Sequence, residues 1–234
     1  MAFTFKQFSV IDDDASMKVG TDAVLLGAWA GQGMPLHILD IGSGSGLIAL
    51  MMAQRFPSAN IMAIDIHKQS IEQSINNFKA SPWKKNLTAT LVSFQDHAMK
   101  SEIKYDLIVT NPPFFTNSLR PPDPSKKLAR HTDTLNYTQI AEGISNILHK
   151  KGSFNLILPY ENHKLFEKKA IESHLSLTRQ LEITPVEGKE TNRILSEWKF
   201  EKSTTESDAL TIRDRDHNYT EAYKKLTEEF YLAL

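Results

Sequence analysis

The sequence predicts an α/β fold: a seven-stranded, mostly parallel, doubly wound sheet of the Rossmann-like kind, with an antiparallel last strand. Three observations carry that expectation. From residue 36 to about 200, short apolar β-rich runs alternate with amphipathic segments. The first run passes directly into a loop with glycine at every second position, Gly42, Gly44 and Gly46. The last two runs have no clear helix between them, so the sheet closes on a hairpin.

The strand candidates, in order, are "LHILDIG", "NIMAIDI", "ATLVSF", "YDLIVTN", "GSFNLILP", "SLTRQLEIT" and "ILSEWKFE". Between them, "LIALMMAQRF", "KQSIEQSINNFKA", "YTQIAEGISNILHK" and "ENHKLFEKKAIESH" space their apolar residues three or four apart, as helices do. Gly152 after "LHKK" reads as a helix stop, and residues 219 to 232 read as a surface helix. In "SEWKF", Glu197 and Lys199 alternate with Trp198 and Phe200, the pattern of a half-exposed edge strand. Residues 117 to 136, "NSLRPPDPSKKLARHTDTLN", form a long low-complexity stretch of the kind that is functional or disordered in compact domains.

Composition narrows the function classes. With 234 residues, 41% of them hydrophobic, the chain can bury one substantial core, and a single domain over residues 1–234 is the simplest organisation. Lysine plus arginine (27) nearly balance aspartate plus glutamate (28), so a polyanionic partner requires local basic patches. The absence of cysteine excludes disulfides, thiolate zinc sites and cysteine nucleophiles. No apolar run reaches the roughly 18 residues of a membrane helix, and the N-terminus lacks a signal core, so a soluble cytoplasmic protein is expected. The eight histidines show no ligand-pair spacing, and no metal is assigned.

The glycine loop lies between an apolar strand and a helix, where a ligand can approach the backbone beside exposed amides. The dinucleotide fingerprint requires glycine three residues after Gly44, and this chain has Leu47 there. Asp40, two residues before the loop, suits a cofactor with an ammonium group better than a pyrophosphate. Asp65 lies twenty-three residues after Gly42, where an acid reaches ribose hydroxyls in such folds. Asp96, after the third strand, can accept a proton from an adenine amino group, although aspartate at a strand end is also a common cap. A glycine-rich turn by itself is an ordinary strand-to-helix connection; the two further acids shift the balance. Together, Asp40-x-Gly42-x-Gly44-x-Gly46, Asp65 and Asp96 resemble the class I S-adenosyl-L-methionine (SAM) methyltransferases.

The fourth strand ends in Asn111-Pro112-Pro113-Phe114, at the sheet edge where open α/β folds bind ligands. The prolines fix the backbone, so the Asn111 side-chain oxygen and the Pro112 carbonyl form a rigid acceptor pair for one planar amino group. Withdrawing those protons from the plane localises the nitrogen lone pair, so catalysis is positioning and electrostatics. Phe114 offers a face for an extruded base. Alone, "NPPF" is equally well a proline-terminated strand; with the glycine loop it resembles the amino-methyltransferases acting on adenine N6, guanine N2, cytosine N4 or glutamine amides.

"FKQFSV", "MKVGTDAVLLGAWA", "LDIGSGSGLIAL", "NPPF" and "LARH" together resemble, over nearly the whole chain, the bacterial methyltransferases of N6 of adenosine 37 in valine tRNA. That resemblance implies SAM as cofactor, an anticodon-loop substrate, and residues 1–35 as an extension covering the cofactor site, with Lys18, Thr21 and Asp22 over its methionine part. Thr21 or Asp22 is alternatively a simple helix cap. Lys126, Lys127, Arg130 and His131 in the long loop are candidates for phosphate contact, as are Lys84 and Lys85, with Arg193 expected on the same sheet edge. A glutamine-N5 protein methyltransferase, a guanine-N2 rRNA methyltransferase, a DNA adenine methyltransferase and a non-catalytic SAM- or RNA-binding module are the alternatives. The first usually has tyrosine after the prolines and a helical head domain, the second a duplicated domain, the third a target-recognition domain. The intact Asn111 with both prolines speaks against the last.

Overall fold

A computed structural model describes residues 2–12, 19–112 and 135–233. An antiparallel ribbon, β1 (Ala2–Thr4) and β2 (Ser9–Ile11), precedes helix α1 (Thr21–Trp29). The alternating region then runs β3 (His37–Ile41), α2 (Leu47–Arg55), β4 (Asn60–Asp65), α3 (Lys68–Ala80), β5 (Leu87–Leu91), α4 (Phe94–Lys100) and β6 (Tyr105–Thr110). It continues through α5 (Tyr137–Ile147), β7 (Leu148–Pro159), α6 (Tyr160–Glu172), β8 (Ser176–Val186), β9 (Arg193–Lys199), β10 (Glu206–Arg213) and α7 (Glu221–Thr227).

The strands from β3 to β10 form one sheet in the order β10-β8-β9-β7-β6-β3-β4-β5. Strand β9 is antiparallel to both neighbours; every other pairing in the sheet is parallel. Residues buried on both faces give β3 its continuous apolar run: Ile38 enters one core, Leu39 and Ile41 the other. Helices α1 and α2, with Phe78 of α3 and Tyr223 of α7, cover the first core; α4, α5 and α6 cover the second. The order reverses between β3 and β6, which opens a crevice at their carboxyl ends.

The mixed α/β sheet is as the sequence predicts, with four local differences. The sheet has eight strands, not seven, because Glu206–Arg213, with four of its eight residues exposed, pairs parallel with β8. The segment "SEWKF" is not at an edge: β9 lies between β7 and β8, and Glu197, 1% exposed, tolerates that because Thr178 Oγ1 at 3.0 Å, Lys199 Nζ at 3.0 Å and Arg179 Nη2 at 3.4 Å surround its carboxylate. Gly152 does not stop a helix. Helix α5 ends at Ile147, and Gly152 lies within β7 at a register shift, where a Cβ would stand 2.8 Å from the Tyr105 carbonyl oxygen. The C-terminal helix is shorter than residues 219–232 and less superficial, since Tyr223 and Phe230 are buried in the first core.

Candidate active site

The glycine loop and the Asn-Pro segment meet across the crevice. In the β3–β6 register Asp40 faces Val109 and Ile41 faces Thr110, so Gly42 and Asn111 are the next residues on adjacent strands. Thr110 Oγ1 donates to the Ile41 carbonyl at 2.8 Å and fixes the two strand ends together. Asn111 is half-buried, Pro112 is buried, and among the described residues the Asn111 amide has no hydrogen-bond partner. Pro113 and Phe114 lie outside the described residues.

Three sets of contacts shape the loop. Gly42 and Ser43 donate backbone protons to the Ile64 carbonyl at 2.8 and 3.1 Å. Asp65 Oδ2 accepts from the Gly44 amide at 3.0 Å, and its Oδ1 accepts from His67 at 2.9 Å. From α3, Ser74 Oγ donates to the Gly44 carbonyl at 3.0 Å and Asn77 Nδ2 to the Ser45 carbonyl at 2.8 Å. Gly46 has φ +81° and a Cβ there would meet the Phe78 ring at 2.5 Å, so this position admits only glycine. A Cβ on Gly42 or Gly44 would meet nothing within 4 Å, which leaves open space directly over the loop backbone.

Asp40 is fully buried, with Oδ2 accepting from the Ala49 amide at 3.1 Å and Oδ1 without a partner. Burial pushes its carboxyl up to about 7, the Ala49 hydrogen bond opposing and the Asp65 charge adding to the rise. An unsatisfied buried carboxylate oxygen is costly, and an ammonium group is the partner that would satisfy it. The open loop backbone, the acceptor capacity left on Asp65 and this orphan oxygen together fit a cofactor with an amino acid end and a ribose.

The remaining predicted residues divide. Asp96 is exposed, in the first turn of α4, where its carboxylate accepts from Ser93 Oγ at 2.7 Å, a capping arrangement. Neither Thr21 nor Asp22 caps α1; the N-cap is Gly20, and Asp22 Oδ2 instead accepts from Arg193 Nε at 2.9 Å. Arg193 does stand on the carboxyl edge of the sheet, opposite Pro159. Lys84 and Lys85 precede the parallel strand β5 and so lie at the opposite edge from Asn111. Lys18, Lys126, Lys127, Arg130 and His131 lie outside the described residues.

Sequence reasoning missed Thr110, Ser74 and Asn77. Asn77 also exchanges two hydrogen bonds with Ile11, at 2.9 and 3.0 Å, and so ties the N-terminal ribbon to the loop. The available signal was a polar stripe, Ser70, Ser74 and Asn77, at helical spacing on the face that α3 buries.

The Methyltransferase small domain model matches residues 19–183. A tRNA1(Val) (adenine(37)-N6)-methyltransferase of Bacteroides thetaiotaomicron is 41% identical over 99% of this chain and 98% of its own length. That of Phocaeicola vulgatus is 44% identical over the same shares. The chain belongs to the tRNA1(Val) (adenine(37)-N6)-methyltransferase family. Its fold is that of the class I methyltransferases. A predicted O-methyltransferase of Agrobacterium tumefaciens superposes with TM-score 0.67 at 14% identity, over 92% of this chain and 99% of that one. A ribosomal protein L11 methylase of Lactobacillus delbrueckii subsp. bulgaricus gives 0.58 at 15% identity, over 82% and 84%. In this methyltransferase the crevice between β3 and β6 carries the glycine loop on one side and Asn111 on the other.

Proposed function

We propose that this methyltransferase transfers a methyl group from S-adenosyl-L-methionine to N6 of adenosine 37 in the anticodon loop of a valine tRNA, acting as a single cytoplasmic domain. The observation that carries the reading is full-length similarity to enzymes of that name, joined to an Asn-Pro acceptor pair beside the glycine loop. No helix among the described residues is long and apolar enough to cross a membrane. When bound, the cofactor supplies an electrophilic methyl group on a sulfonium.

In this reading Asp65 would accept from the ribose hydroxyls, and Asp40 would hold the ammonium end. Asn111 Oδ1 and the Pro112 carbonyl accept the two N6 protons, which turns the nitrogen lone pair out of the ring plane and toward the methyl carbon. Bound beside this acceptor pair, the cofactor would supply its methyl group to the lone pair that Asn111 and Pro112 orient, and one N6 proton would pass to solvent. A loop purine is already partly unstacked, so its extrusion costs less than from a duplex. Residues 1–35 cover the cofactor, with Lys18 toward its methionine end, and Phe114 stacks on the base. Lys126, Lys127, Arg130 and His131 contact phosphates. Asp96 serves the adenine only if it leaves its cap.

The test is methyl transfer from labelled SAM into total tRNA from a strain lacking this modification, followed by nucleoside mass analysis. N6-methyladenosine in one tRNA species is the expected result; label in a protein or rRNA fraction would overturn the substrate.

A further inference from the structure

A second concave surface lies on the same sheet edge, beyond β7. It encloses about 320 Å³, and its lining includes Thr21, Asp22, Asn192, Arg193, Arg213 and Tyr219. Strand direction explains why these residues converge. Arg193 opens the antiparallel β9 opposite Pro159 at the end of β7, and Arg213 closes β10 opposite Val186 at the end of β8. Both arginines therefore stand on the carboxyl edge that carries Asn111, two and four strands away in the sheet order. At about 4.8 Å per strand, that is roughly 10 and 19 Å.

Arg213 is held with its planar group set. Its guanidinium carbon lies 3.9 Å from the centre of the Tyr219 ring, which stacks in turn on Tyr223 at 4.9 Å and 17°. Both faces of Tyr219 are thus occupied, so the ring orients the arginine and offers no platform for a base. Arg213 Nη1 donates to the His217 carbonyl at 2.6 Å, which leaves most of the five-donor fork for another acceptor. Arg193 donates from Nε to Asp22 at 2.9 Å and from Nη1 to the Asn192 carbonyl at 3.0 Å. Among the described residues that line the cleft, two guanidinium groups stand with one carboxylate, in a chain whose formal net charge is -1.

We propose that this cleft binds a backbone phosphate of the RNA strand beside the nucleotide whose base reaches Asn111, with Arg213 and Arg193 as donors; the inference rests on the tRNA reading above. A stacked, oriented guanidinium suits phosphate recognition. The cleft's place on the edge beyond β7 suits a chain running along the sheet away from the reacting base. The contact carries no base information, so it adds affinity and register.

The experiment measures binding of the full chain to an unmodified anticodon stem-loop RNA across a salt series, with cofactor affinity measured separately by calorimetry. Arg213→Gln is expected to weaken RNA binding about tenfold, the size of one charge-assisted hydrogen bond, and to lower the log–log salt slope by about 0.7. Arg213→Lys should restore the slope and part of the affinity, and Lys79→Gln, exposed at the end of α3 on the opposite edge, should change neither. Arg193→Gln should act in the same direction as Arg213→Gln. An unchanged slope in both glutamine variants overturns the inference, as does a loss of cofactor affinity in place of RNA affinity. If the wild-type chain neither binds nor methylates the RNA, the functional reading fails first and takes the inference with it.

Discussion

The Asp65 carboxylate accepts the Gly44 amide proton at 3.0 Å, so the acid at the end of β4 is also a brace for the glycine loop after β3. Its second oxygen accepts from His67 at 2.9 Å. Asp65→Ala is expected to cost about 1–3 kcal/mol of stability, since two amides lose a buried acceptor. It should also weaken cofactor binding at least tenfold. Denaturant unfolding and calorimetric titration separate the two effects, and a stability loss with unchanged cofactor affinity would leave Asp65 a brace alone.

Asn111 has no side-chain partner to lose among the described residues. Asn111→Ala should therefore leave stability and cofactor affinity within about twofold of wild type. Removing an acceptor used in the transition state costs about 10²–10³ in rate. Single-turnover methyl transfer reads that loss, and an equal loss of cofactor binding would remove the acceptor role.

Asn77 ties Ile11 of β2 and Ser45 of the glycine loop to α3. Asn77→Ala should cost about 1–3 kcal/mol and raise amide exchange in both the ribbon and the loop. Exchange that rises in the ribbon alone would show that Ser45 does not depend on this tie.

Two buried groups give opposite pH dependences. Asp40 stands at about 7 and His163, buried against Trp198, at about 4, both chiefly through burial. The raised Asp40 value means stability present below pH 4 and lost as pH rises through 7, roughly 4 kcal/mol in all. The lowered His163 value means stability present above pH 6.5 and lost as pH falls toward 4, roughly 3 kcal/mol. The slopes largely cancel between pH 4 and 6.5. Urea midpoints of Asp40→Asn should accordingly rise with pH over that window, and those of His163→Phe should fall. Parallel profiles for the two variants would refute both assignments.

Much of the fold was legible because its signals are local. Seven strand candidates, the glycine loop, Asp65 and Asn111-Pro112 depend on periodicity and on residues whose backbone preferences hold in any context. The same locality explains the failures. Glu206–Arg213 is absent from the strand candidates because four of its eight side chains are exposed and only its pairing with β8 makes it a strand. Glu197 reads as exposed because only the fold brings Thr178, Arg179 and Lys199 around it. Gly152 reads as a helix stop because its real constraint, the Tyr105 carbonyl 2.8 Å from a Cβ, is forty-seven residues away in sequence.

By itself, then, the sequence determined the α/β class, the glycine-rich strand-to-helix loop and the amino-methyl chemistry, each written in neighbouring residues. The tertiary structure alone decided that Asp22 pairs with Arg193 across 171 positions, that Asn77 clamps the N-terminal ribbon to the loop, and that Arg213 joins Arg193 on the edge bearing Asn111. Those relationships depend on strand order and direction, which are set by how two hydrophobic cores close around one sheet and not by any short stretch of chain.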